Sequence, residues 1–231
     1  MRIRPAGSFP LILLLVGFLM GSPGCALWDS IFKSEVKREL EKTPESLIQE
    51  GLDFYQRKKF AQAIEAFQKL KDRYPYNQYA ILAELKLADS YFLNKDYELA
   101  AAAYKEFEKM HPANEVIPYI VFQVGMSYFK QMPTIDRDQS NAEKAAQEFD
   151  RLIKTYPQSE YLAEARKNLI LSQKNMALHE FYIGEFYFKA NNCQAALGRF
   201  EAALKKYPDV PPTPAVKSRI EACQKKTAVA K

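Results

Sequence analysis

Histidine is nearly absent. The 231 residues hold two, His111 and His179, and neither has a nucleophile or a second ligand at motif spacing. That removes the commonest general base and metal ligand from any catalytic scheme. Glycine is scarce as well. The eight glycines form no phosphate-cradling loop, and the three cysteines form no Cys-x-x-Cys. No serine sits in a nucleophile elbow. No catalytic residue, metal or cofactor is therefore expected, and the chain does not read as an enzyme. Charge of one sign is also lacking. The formal charge is +5, and Arg2 and Arg4 account for two of it, leaving 31 basic against 28 acidic side chains, well interleaved. That balance excludes a nucleic-acid protein. Beyond residues 9–20, no apolar run approaches the length of a membrane span.

What is present is a repeated phrase: a small residue, an aromatic three residues on, then an alanine, a second aromatic and a closing proline. The copies are Gly51, Phe54, Ala63, Phe67, Pro75; Ala88, Tyr91, Ala100, Tyr104, Pro112; Gly125, Tyr128, Ala145, Phe149, Pro157; and Gly184, Tyr187, Ala196, Phe200, Pro208. A period in the thirties with this pattern is the tetratricopeptide repeat, a helix–turn–helix unit. Two helices approach closely only where facing side chains are small, and proline stops the second helix. The expected fold is an all-α tetratricopeptide solenoid of about four full repeats plus a partial fifth. In the third copy the small residue and the alanine stand eight residues further apart, so residues 131–141 should loop out at an edge, with Ser140–Glu143 as a capping box that restarts the helix. Thr43 should cap the first helix, and Asp96 the second helix of repeat two. Residues 159–190 keep helical period without a proline and predict one helix of about 30 residues.

The N-terminus reads differently. Arg2 and Arg4 precede a short apolar stretch, which is the pattern of an export signal over residues 1–24. Gly24-Cys25 resembles a bacterial lipoprotein cleavage site, which would place lipid on Cys25. Cleavage by ordinary signal peptidase is the alternative. Residues 25–42, with Trp28, Ile31 and Phe32, read as a lipidated tether. Residues 43–157 carry repeats one to three, residues 158–226 repeat four and the partial fifth, and residues 227–231 a disordered tail.

Repeat stacks present their first helices on one concave side. The groove-facing positions of tetratricopeptide repeats fall here on Ile48, Leu52 and Tyr55, on Leu85, Asp89 and Phe92, and on Tyr119, Phe122, Met126 and Phe129. This lining is aromatic and aliphatic and suits an extended peptide with aromatic side chains. Cys193, in the turn of repeat four, and Cys223, near the chain's end, would be neighbours in a stacked array. Either a disulfide or two buried thiols fits an exported chain.

The lipoprotein signal, the repeats, Tyr74-Pro75-Tyr76 through Tyr79-Ala80, the inserted Asp136-Arg137-Asp138, the long fourth-repeat helix and Gly198-Arg199-Phe200-Glu201 together resemble the BamD (ComL) family of outer-membrane β-barrel assembly lipoproteins. The resemblance covers nearly all of the chain after the signal. It implies a scaffold lipid-anchored to the periplasmic face of the outer membrane. Its partners would be a BamA-type barrel assembly protein, accessory lipoproteins and the C-terminal signals of unfolded outer-membrane proteins. It also implies a partner face around Lys189, Arg199 and Glu201. The competing reading is a periplasmic repeat lipoprotein that binds peptidoglycan or coordinates cell-wall and outer-membrane processes.

Overall fold

The structure, a computed structural model, describes residues 42–229. The export signal, Cys25 and nearly all of the tether lie outside the described residues. Contacts divide the chain into two units, residues 1–46 and 47–231. In the described part of the first, Thr43 Oγ1 accepts the backbone N–H of Ser46 and so caps the helix that opens at Pro44.

Among the described residues there are nine helices and no strands. In chain order they are α1 Pro44–Gln56, α2 Phe60–Arg73, α3 Ala80–Leu93, α4 Tyr97–Met110, α5 Ile117–Lys130, α6 Ser140–Thr155, α7 Leu162–Lys189, α8 Cys193–Lys206 and α9 Pro214–Val229. From α2 onward each packs on its neighbour in sequence. This is the all-α, solenoid-type arrangement expected from the repeat.

The turn inside a hairpin follows one recipe. Lys58, Lys95 and Asn191 adopt left-handed backbone, with φ of 58°, 70° and 60°. After α1, Lys58 N–H reaches Tyr55 O and Lys59 N–H reaches Phe54 O; the same pair of bonds closes α3 at Phe92 and Tyr91 and α7 at Phe188 and Tyr187. These are Schellman closures, which satisfy the last carbonyls and reverse the chain in three residues. The connection between repeats has its own recipe. Tyr74, His111, Tyr156 and Tyr207 each close the second helix just before a proline. Asn77, Asn114 and Ser159 then take the N–H of the residue two ahead, which sets the next first helix.

Packing inside each hairpin rests on a ring over a gap. A Cβ on Gly51, Gly125 or Gly184 would collide with the ring of Phe67, Phe149 or Phe200, respectively. All three rings are fully buried. Repeat two differs: Ala88 replaces the glycine and Tyr104 the phenylalanine.

Repeat three has no left-handed turn, and its longer connection does not simply loop out. It is fastened to α7. Asn175 donates to Pro133 O and to Gln139 Oε1, and His179 Nδ1 bonds Ile135 O. Gln139 in turn donates to Thr134 O and Arg137 O. The expected capping box is not used. Asp138 Oδ1 accepts Ser140 N–H instead, and Ser140 is already helical. Nor does Asp96 cap α4: its carboxylate takes the Asn94 amide.

One further expectation changes. Helix α9 runs through Thr227 to Val229, so residues 227–229 are helical rather than a loose tail, and Thr227 Oγ1 donates to Cys223 O. Helix α7 belongs to two cores. Its early turns, with Ala165, join the cluster around Phe149 and Ile120, and its later ones, with Ala177 and Phe181, join that around Phe200.

Candidate protein-binding face

Helices α1, α3 and α5 carry the residues expected to face a ligand. Side-chain contacts run across them in sequence. Lys86 Nζ of α3 lies 4.9 Å over the Tyr55 ring of α1 and 2.8 Å from Asp89 Oδ2. Asp89 Oδ1 accepts hydroxyls from Tyr104 of α4 and Tyr119 of α5, each at 2.8 Å, and Gln123 donates to the Tyr119 oxygen. One carboxylate therefore ties three helices together. Burial and the Asp89 charge push both tyrosine hydroxyls far above their usual range, so they stay protonated donors. Burial opposes the charge on Lys86, but the bond to Asp89 more than offsets it and raises its pKa.

Around this polar tie the apolar residues divide. Leu52, Tyr55, Leu85, Phe92, Tyr119, Met126 and Phe129 are half-buried, each with part of its surface open. Leu82 and Leu93 are exposed beside them. Tyr55 packs edge-on against Phe60, and Phe92 repeats that contact on Tyr97, with ring centroids at 5.9 and 5.4 Å. Three expected lining residues are withdrawn. Ile48 is 2% exposed and sits in the first core. Asp89 is 4% exposed because its oxygens are spent on Lys86 and two tyrosines. Phe122, 7% exposed, is stacked on Tyr161 at 4.9 Å and packs against Phe149. Met126 is partly engaged as well, its sulfur accepting from Asn168 of α7.

Lys86, Tyr104 and Gln123 were not found by sequence reasoning. Tyr104 did leave a signal, being the one tyrosine at a position that is otherwise phenylalanine. His111 Nε2 lies 2.7 Å from Glu84, and its ring packs on Phe107.

The residues expected to form a partner face do not share one. Arg199 pairs with Glu180 of α7 at 3.1 Å. Glu201 turns instead into a groove between α8 and α9. Residues two apart on a helix point in different directions. Lys189 is exposed in the last turn of α7. Cys193 and Cys223 are disulfide-bonded, with Cα atoms 4.9 Å apart, fastening α9 to the start of α8.

Comparison with known proteins agrees with this architecture. Residues 40–230 match the family described as YfiO, outer membrane lipoprotein. An outer membrane protein assembly factor BamD from Rickettsia prowazekii is 30% identical over 84% of this chain and 74% of its own length. The chain belongs to the BamD family. The BamD of Caulobacter vibrioides is 26% identical over 75% of this chain, which spans only 57% of that relative. The BamD of Vibrio cholerae is 26% identical over 72% of this chain and 73% of its own. Among the described residues of this BamD-family chain, no helix is long and apolar enough to cross a membrane.

Proposed function

We propose that this chain is a non-enzymatic scaffold of outer-membrane protein assembly, held at the periplasmic face of the outer membrane by lipid on Cys25. Its α1–α3–α5 face receives the aromatic-ended C-terminal segments of unfolded outer-membrane proteins. Its C-terminal repeats dock on a BamA-type barrel subunit beside accessory lipoproteins.

Family membership supports the assembly role. The observation that carries the binding reading is the row of half-open rings from Tyr55 through Phe92 to Phe129. Such rings bury large apolar area at little conformational cost, which is how aromatic anchors work at interfaces. The floor beneath them is held rigid by Asp89, so little ordering remains for the ligand to offset.

Affinity purification from native membranes in mild detergent tests the assembly reading. Recovery of a BamA-type barrel protein with the tagged chain is the expected result. Recovery of peptidoglycan-associated proteins alone would replace it with the cell-wall reading.

A further inference from the structure

The groove between α8 and α9 has a volume of about 840 Å³ and is lined by Gln194, Gly198, Glu201, Gln224 and Thr227, among others. A second groove of about 450 Å³ is lined by Glu98, Ala102 and Lys105 of α4 and Tyr128 and Gln131 at α5. Each of these five positions lies 96 residues before its counterpart in the first groove. The two grooves are thus the same feature of the repeat, met twice.

They differ in what covers them. The internal groove is closed by α6, which contributes Asn141 and Lys144 to its wall. Helix α6 also pairs Glu148 with Lys105 at 3.2 Å. Among the described residues, the lining of the other comes from α8 and α9 alone. Gly198 stands on its floor, inside a 14-residue helix, where glycine is less favourable than alanine. A Cβ there would meet nothing within 4 Å. The packing of the described residues therefore gives no reason for glycine at that position, whereas close approach of another backbone would.

We propose that the α8–α9 groove receives an α-helix of a partner protein, laid where α6 lies over the internal groove. The internal copy sets the recognition chemistry. Lys105 is answered there by an acid; its counterpart is Glu201, so the incoming helix carries Lys or Arg at the place of Glu148. A small residue sits over Gly198. Gln194, Gln224 and Thr227 leave the rest of the described lining neutral. This stands apart from the client-binding reading of the α1–α3–α5 face.

The probe is a hydrocarbon-stapled peptide with the sequence of residues 140–155, labelled and titrated against the full disulfide-bonded chain by fluorescence anisotropy. Two versions are compared, one with Glu148 and one with Glu148→Lys. The Lys version should bind roughly tenfold tighter, the scale of one charge pair turned from repulsive to attractive. Glu201→Lys should reverse that order. Gly198→Trp should abolish binding while helix content and Tm are retained. Equal binding of the two peptides, binding that survives Gly198→Trp, or no saturable binding by either would overturn the proposal.

Discussion

The hydroxyl of Tyr104 donates to Asp89 Oδ1 at 2.8 Å, with the tyrosine 0% and the aspartate 4% exposed. Fifteen residues separate them, and the bond fixes the crossing of α3 and α4 in the one repeat that lacks a packing glycine. Tyr104→Phe leaves Asp89 still bonded to Tyr119 and Lys86 and should cost about 1–2 kcal/mol. Asp89→Ala strands the buried Tyr104 hydroxyl, the half-buried Tyr119 hydroxyl and an ammonium and should cost roughly twice as much. Urea unfolding of both variants and of the double mutant measures the coupling. Fully additive losses would mean that the pair does not act as one.

Glycine is required at one place in repeat four and unnecessary at another. Gly184→Ala pushes a methyl into the buried Phe200 ring and should destabilise by about 1–3 kcal/mol. Gly198→Ala opens onto free space and should be neutral or stabilising by up to about 1 kcal/mol. Equal effects in thermal melts would contradict the ring-over-gap packing.

The hairpin turns hold a reserve of stability. Lys58 and Lys95 are left-handed without being glycine, at a cost of about 1 kcal/mol or more each. Lys95→Gly should therefore raise the unfolding midpoint, whereas Lys95→Val should lower it. The same midpoint for both would show that the turn relaxes freely.

Acid should loosen the start of α6 first. Hydrogen bonds from Ser140 hold the Asp138 carboxyl below its usual range. A depressed folded pKa means that the contribution is complete above the ordinary carboxylate value and is lost as pH falls through the folded one. The protection factors of the Ser140 and Asn141 amides should fall as pH drops below the ordinary carboxylate range in the parent, and should be low at all pH values in Asp138→Ala. An unchanged pH profile in the variant would remove Asp138 from the account.

How far the sequence foretold this molecule depends on the range of the forces involved. The Gly–Phe pairs, the Tyr-Pro stops and the 28-residue α7 follow from local rules, and each could be read from spacing. The withdrawal of Asp89 could not, since it depends on hydroxyls 15 and 30 residues away. Nor could the fastening of residues 131–139, because Asn175 and His179 meet that segment only once α7 has packed. Phe122 carries the right position number for a groove residue, but Tyr161 lies on top of it.

The binding reading stands or falls with the half-open rings. Anisotropy titration of a labelled peptide ending in a C-terminal aromatic residue would compare the parent with Tyr55→Ala/Phe92→Ala, and with Phe122→Ala as a buried control. The double variant should lose roughly tenfold or more in affinity at unchanged helicity. Phe122→Ala should instead lose about 3 kcal/mol of stability or more. Affinity unchanged by removal of both exposed rings would contradict the assignment of this face to client segments.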